Sequence, residues 1–293
     1  MGLKLRRLSY PLGVEICDLD VAGPISESQF GEIYQAFLDH CILLFRDQNI
    51  TREQHLQFSR RFGELDRHDA FPSDRHPDYP ELMVVTNDSA PDGTPSVSRY
   101  TGRRWHTDMS QTLTPSLGSL LRCWRVPEVG GDTLFANMYL AYETLSEGMQ
   151  KLIDGLHAVH VAGTRQLENT AADKAHAEEQ RRISPPVAHP VARVHPETGR
   201  KAIYLGEKVT RFDGMSDEES KPLIDYLNRH ATRSEFVYRH QWKPHDIVLW
   251  DNRCTMHQAL GDFDPSQSRY MERSTVLGTP SGYVAGRVAS DSS

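Results

Sequence analysis

Between residues 235 and 277 the chain offers four closely spaced strand candidates, Glu235–Trp242, Asp246–Trp250, Thr255–Leu260 and Arg269–Leu277. Further short strands are expected earlier: within residues 3–20 around the turn Pro11-Leu12-Gly13, over Leu82–Val85, over 117–126 and over His157–Val161. Two more, Val187–His195 and Ala202–Leu205, flank the turn His195-Pro196-Glu197-Thr198-Gly199. Cys41–Phe45 is a continuous apolar run of strand length, which reads as a strand buried on both faces. Many short strands with turn signals, and helices towards the front, predict a closed or double-sheet β architecture with helical additions.

The helices announce themselves by their caps. Ser26 with Gln29, Thr51 with Gln54 and Ser216 with Glu219 each follow the capping-box spacing. After the first, Phe30, Ile33, Tyr34, Phe37 and Leu38 recur at helical spacing and define one buried stripe. The second helix is expected to run to about Phe62, with Gly63 ending it. The third turns Leu223, Ile224 and Leu227 inward. Met138–Leu156 reads as two helical pieces with Ser146 as a cap. The polar stretch 164–186 reads either as a solvated helix or as a mobile lid. No repeat, low-complexity tract or linker divides the chain, so residues 1–293 are expected to form a single domain.

A formal net charge of −7 provides no basic excess to neutralise phosphates, which argues against a general nucleic-acid partner. Cys17, Cys41, Cys123 and Cys254 are scattered and form no C-x-x-C pair, as expected of reduced thiols. The N-terminus shows no apolar signal region, and no apolar run reaches the length of a membrane span. The expected setting is cytoplasmic, without a membrane partner.

His106-Thr107-Asp108 is the first sign of chemistry. In an extended segment the period of two would put both side chains on one face, where an imidazole and a carboxylate converge on one cation. Alone, His-x-Asp recurs by chance. A third ligand is available in His257, 149 residues after Asp108, in the stretch that follows Ile247-Val248-Leu249. Two His and one carboxylate leave open positions on a metal, as in non-haem Fe(II) oxygenases, and zinc accepts the same set. The last strand then places Arg269, Met271, Arg273 and Thr275 on one face. An unpaired buried guanidinium is costly, so each arginine wants a carboxylate or similar oxyanion.

Taken together, these motifs resemble the Fe(II)- and 2-oxoglutarate-dependent dioxygenases of the taurine dioxygenase and 2,4-dichlorophenoxyacetate dioxygenase (TauD/TfdA) family. The resemblance covers nearly the whole chain. It runs through Phe45-Arg46-Asp47-Gln48, Phe62-Gly63-Glu64-Leu65, Trp105-His106-Thr107-Asp108 and Gly130-Gly131-Asp132-Thr133. It continues through His195-Pro196 with Gly199-Arg200-Lys201, Trp250-Asp251-Asn252-Arg253 with His257, and Arg269 with Arg273. The stretch from Glu235-Phe236-Val237-Tyr238 to Cys254 looks closest to the aryloxyalkanoate-degrading branch.

The resemblance implies a β-rich mixed α/β fold: a double-stranded β-helix, or jelly roll, with peripheral helices. It implies Fe(II) on His106, Asp108 and His257, with 2-oxoglutarate and O2 as cosubstrates and its distal carboxylate on Thr133 and Arg269. Arg273 and His68 match positions that grip a substrate anion, Met109 would offer its backbone N–H, and Tyr204 falls near an aromatic pocket position. Phe71 stands where an aromatic with a hydroxyl would match, and Arg103-Arg104 precede Trp105; both depart from the taurine pattern. The expected substrate is a small organic anion, an aryloxyalkanoate carboxylate first and a sulfonate or sulfate ester next. Family members commonly assemble as dimers or tetramers, so a homo-oligomer is expected. Two rival readings are a noncatalytic anion-binding β-barrel and a zinc hydrolase on the same ligands; the hydrolase lacks an evident general base.

Overall fold

The computed structural model describes residues 2–69, 75–89, 93, 96–163 and 171–286. In chain order the elements are β1 (Lys4–Arg7), β2 (Val14–Cys17), α1 (Glu27–His40), β3 (Ile42–Phe45), α2 (Arg52–Arg60), β4 (Met83–Thr86), β5 (Ser116–Arg125), β6 (Thr133–Asn137), α3 (Met138–Glu143), α4 (Glu147–Ile153) and β7 (His157–His160). They continue with α5 (Ala171–Ile183), β8 (Val187–Pro190), β9 (Ala192–Val194), β10 (Lys201–Ile203), β11 (Val209–Phe212), α6 (Asp217–Ala231), β12 (Val237–His240), β13 (Ile247–Asp251), β14 (Thr255–Ala259), β15 (Tyr270–Leu277) and β16 (Tyr283–Val284).

Strand order in the largest sheet is β1-β2-β3-β13-β5-β15-β4. Smaller sheets run β12-β6-β14, β11-β7-β8-β16 and β10-β9. This is a double-stranded β-helix with helices on its outside. The apolar run at β3 shows why the large sheet is central. Ile42 and Leu44 pack between the sheets with Leu121, Phe135, Trp250 and Met271. Leu43 and Phe45 point the other way, into a second core with Phe37, Leu56, Phe58 and Phe62 from the α1–α2 side. A strand apolar on both faces has both faces covered. A third core lies under α3 and α6, where Leu227 and Ile224 meet Ala202, Ile203 and Phe212.

Several boundaries differ from the sequence reading. The second helix stops at Arg60, with Arg61 as a right-handed cap. Gly63 has a φ of +148° and a Cβ there would lie 2.9 Å from Val276 Cγ1, so its glycine serves a close approach to β15 and not the helix end. Ser26 caps α1 through the Gln29 N–H, whereas Thr51 and Ser216 make the full reciprocal box. The expected strand Val187–His195 is two strands in different sheets. Pro190 cannot donate a ladder hydrogen bond, and Val191 N donates to Leu156 O at 2.9 Å. Residues 164–170 lie outside the described residues; Ala171–Ile183 is helical, and Ala177 is buried. Among the described residues no helix is long and apolar enough to cross a membrane.

Candidate metal and oxyanion site

His106 and His257 face each other in an isolated antiparallel bridge. His106 N donates to His257 O at 3.0 Å, and His257 N donates to His106 O at 2.8 Å. The two imidazoles follow, with ring centroids 4.0 Å apart. The segment is not the extended strand that the period of two supposes: Asp108 opens a turn, and Met109 has a φ of +55°. The turn brings the carboxylate back under the rings. Asp108 Oδ1 lies 3.8 Å from His106 Nε2, and Oδ2 lies 4.0 Å from His257 Nε2. Gly206 allows this loop to sit low, since a Cβ there would stand 3.1 Å from His106 Cα.

Buried partners fix His106 and Asp108, whereas His257 Nδ1 is buried without one. His106 Nδ1 lies 2.8 Å from Arg104 O, so it carries the proton and leaves the Nε2 lone pair facing Asp108. Ser119 Oγ donates to Asp108 Oδ2 at 2.7 Å, and Asn252 Nδ2 donates to that same Ser119 oxygen at 2.9 Å. Asn252 Oδ1 in turn accepts from Trp250 Nε1 at 2.9 Å and from Asp108 N at 3.2 Å. Burial would raise the Asp108 carboxyl, but Arg273 and the two imidazoles hold it well below the usual carboxylate range. Burial likewise keeps His257 neutral, the state a metal requires. One ligand atom from each of His106, Asp108 and His257 lies within 4.8 Å of the others, a set that could hold a divalent ion with open positions beside it.

Arg273 on β15 and Arg269 immediately before it differ in their surroundings. Arg273 NH1 donates to Asp108 Oδ1 at 2.5 Å, while its buried Nε has no partner. Arg269 is buried and bonds through Nε to Gly131 O at 2.9 Å. Among the described residues no carboxylate pairs with it; nearby Asp132 is already held by Arg239 at 2.6 Å. Burial accordingly pulls the Arg269 guanidinium down to about 10. Thr133, two residues after Gly131, accepts from Trp242 Nε1 at 2.9 Å. Arg269 and Thr133 thus share one local framework.

The remaining expected positions fall around this centre. His68 is buried at a φ of +52°, and neither ring nitrogen makes a hydrogen bond; its Nδ1 lies 3.3 Å from Asp66 Oδ2. Burial would raise Asp66, but His68 and the charge of Arg273 bring it below its ordinary value. Met109 N–H has no acceptor among the described residues, while its carbonyl accepts from Thr112 N at 3.0 Å. Tyr204 is buried against His160 and His189. Phe71 lies outside the described residues. Sequence reading assigned no role to Ser119, Asn252 or Trp242. Ser119 could have been flagged as a polar residue beside Leu120-Leu121 in an apolar strand.

A family model described as taurine catabolism dioxygenase TauD, TfdA family matches residues 4–275. The chain is similar to an (S)-phenoxypropionate/alpha-ketoglutarate-dioxygenase of Sphingobium herbicidovorans, at 34% identity over 277 residues covering 93% of this chain and 92% of that one. It is similar also to the alpha-ketoglutarate-dependent 2,4-dichlorophenoxyacetate dioxygenase of Cupriavidus pinatubonensis, at 33% identity over 277 residues covering 92% and 94%. Among solved structures, that of AAD-2 in complex with Mn(II) and N-oxalylglycine superposes with a TM-score of 0.79 at 32% identity, covering 96% of this chain and 99% of that one.

Proposed function

The chain belongs to the taurine catabolism dioxygenase TauD, TfdA family and is an Fe(II)- and 2-oxoglutarate-dependent dioxygenase; on that premise we propose that its primary substrate is a small carboxylate of the aryloxyalkanoate kind. His106, Asp108 and His257 hold the iron, and the buried, carboxylate-free Arg269 beside Thr133 anchors the distal carboxylate of 2-oxoglutarate. When bound, iron and the keto acid use O2 to give succinate and CO2 and supply the oxidant that hydroxylates a substrate C–H bond.

The chain's own residues position the reactants. Ser119 and Asn252 hold the Asp108 carboxylate in the orientation in which it would bind the metal with His106 and His257. Arg273, with His68 and the Met109 N–H, grips the substrate's anionic group, and Tyr204 lines its body. Arg273 is suited to this because its guanidinium already lies against a metal ligand, which would set the anion close to the reacting centre. The observation that carries the reading is Arg269: a buried cation without a carboxylate needs an anionic cosubstrate. We propose also that residues 1–293 act as one domain, that the enzyme is cytoplasmic and that it assembles as a homo-oligomer.

The test is a screen of aryloxyalkanoates, alkylsulfonates and sulfate esters for substrate-triggered succinate formation. Aryloxyalkanoates are expected to trigger turnover most strongly. Turnover confined to sulfonates or sulfate esters would refute the carboxylate assignment while preserving the anion site. Anaerobic Fe(II) with saturating 2-oxoglutarate should give a weak visible charge-transfer band, and its absence would refute chelation at this centre.

A further inference from the structure

We propose that Arg193, His160 and Tyr204 form a second oxyanion pocket that receives the far end of the substrate, so that the preferred substrate is a dianion. This rests on the head-group site proposed above and adds a requirement on the substrate's tail.

Arg193 lies on β9 and Tyr204 directly follows β10, whereas Arg273 comes from β15 in the large sheet. The Arg193 guanidinium stacks over the Tyr204 ring, with Cζ 4.6 Å from its centroid. His160, His189 and Tyr204 pack as a triangle of rings with centroids 5.2, 5.5 and 5.6 Å apart. The cluster adjoins the metal loop: His189 Nε2 donates to Thr112 O at 3.1 Å, and the charge of Asp108 reaches the Tyr204 phenol.

These groups are buried with polar atoms left over. Both ring nitrogens of His160 and Arg193 NH1 have no hydrogen-bond partner, and the Tyr204 hydroxyl lies beside Arg193 and Thr107. Among the described residues no carboxylate pairs with Arg193, although its side chain is buried. Burial, with His189, Lys208 and Arg193 nearby, keeps His160 neutral. A neutral imidazole offers one N–H, the phenol one O–H and the guanidinium several N–H donors. Buried donors beside a guanidinium that has no carboxylate partner are complementary to an oxyanion, and leaving them unmet is costly. An unsubstituted aromatic or alkyl tail would leave them unmet; a carboxylate or sulfonate would satisfy them.

The test compares 4-carboxyphenoxyacetate with 4-methylphenoxyacetate, and the matching 3-substituted pair, by calorimetry on the anaerobic Fe(II)/2-oxoglutarate holoenzyme. One dianion should bind about tenfold or more tighter than its methyl counterpart. Arg193→Met should bring that ratio close to one, and Tyr204→Phe, which keeps the ring, should lower it several-fold. Thermal unfolding verifies that each variant is folded; if Arg193→Met does not fold, Tyr204→Phe decides. Equal binding of both members of each pair would overturn the proposal and assign the polar atoms to buried water. So would a dianion preference that survives in these variants. If neither member of any pair binds or triggers succinate release, the head-group reading itself fails and takes this inference with it.

Discussion

Arg269→Met separates the cost of a buried charge from its use. At neutral pH the guanidinium is protonated in both folded and unfolded chains, so its full burial penalty is present. A fall from 12.5 to about 10 corresponds to roughly 3 kcal/mol against the charged form. The variant also loses the 2.9 Å bond from Nε to Gly131 O, worth about 1 kcal/mol. The ligand-free variant should therefore be more stable by about 1–2 kcal/mol, a rise of roughly 2–3 °C in Tm for a chain of this size. Binding moves the other way. Losing the cationic partner of a buried carboxylate costs about 2–5 kcal/mol, or roughly 30- to several-thousand-fold in the Kd for 2-oxoglutarate. The assay is thermal unfolding with and without metal and 2-oxoglutarate, paired with calorimetric titration of 2-oxoglutarate. The parent protein should gain Tm with cosubstrate and the variant should not. A variant that melts lower without ligand yet keeps its cosubstrate affinity would refute the reasoning, because Arg269 would then be a structural cation with a partner of its own.

The oriented carboxylate makes a separate prediction: Ser119→Ala or Asn252→Ala should weaken metal binding by about 10- to 100-fold, measured by competition with a chelator, and unchanged affinity would remove both from the metal site. Arg273→Ala should raise the primary-substrate KM far more than the 2-oxoglutarate KM, and the reverse pattern would exchange the two arginine assignments. Asp251 accepts from Arg253 Nε at 2.8 Å, from Arg253 NH2 at 2.7 Å and from His195 Nε2 at 3.0 Å. Asp251→Asn should therefore cost about 1.5–3 kcal/mol in urea unfolding, since it leaves the buried Arg253 guanidinium with Glu197 as its remaining carboxylate; a loss below 1 kcal/mol would contradict that. His55, on the buried face of α2, is pushed down to about 4 by burial, below an unfolded value of 6.5. Its contribution is fully present above pH 6.5 and is lost as pH falls towards 4, because the unfolded chain takes up a proton that the folded chain refuses. His55→Gln should flatten the stability profile across that window by up to about 1.4 kcal/mol per pH unit, and an identical slope in parent and variant would contradict the burial argument.

Much of the fold was legible where one pattern dominated. The capped helices at Thr51 and Ser216 and the apolar β3 form where their signals fall. β6 and β11 were missed because five residues, Thr-Leu-Phe-Ala-Asn, and four, Val-Thr-Arg-Phe, are too short for a period to stand out. The break at Val191 depends on its N–H reaching Leu156, a contact that no local pattern encodes. The metal site is the extreme case. His106 and His257 are joined by two backbone hydrogen bonds across a separation of 151 residues, so the resemblance, and not a periodicity, brought them together.

Charge pairing shows where local reasoning holds and where it ends. Glu272 lies between Arg269 and Arg273 in sequence, close enough to neutralise either on distance along the chain. The period of two forbids it: on a strand that buries Met271 and Arg273 on one face, Glu272 must point to the other. It does, and there Arg52 Nε and NH2 reach its carboxylate at 2.9 and 2.7 Å. The need of the two inward arginines for other anions was therefore readable from five consecutive residues. Which anion each receives was not. Asp108 reaches Arg273 only because the turn after Thr107 folds under the histidines, and Arg269 lacks a carboxylate only because Arg239, on β12, has already taken Asp132. Those facts belong to strands that sequence order keeps apart, and they decide which guanidinium lies against Asp108 and which is left without a carboxylate.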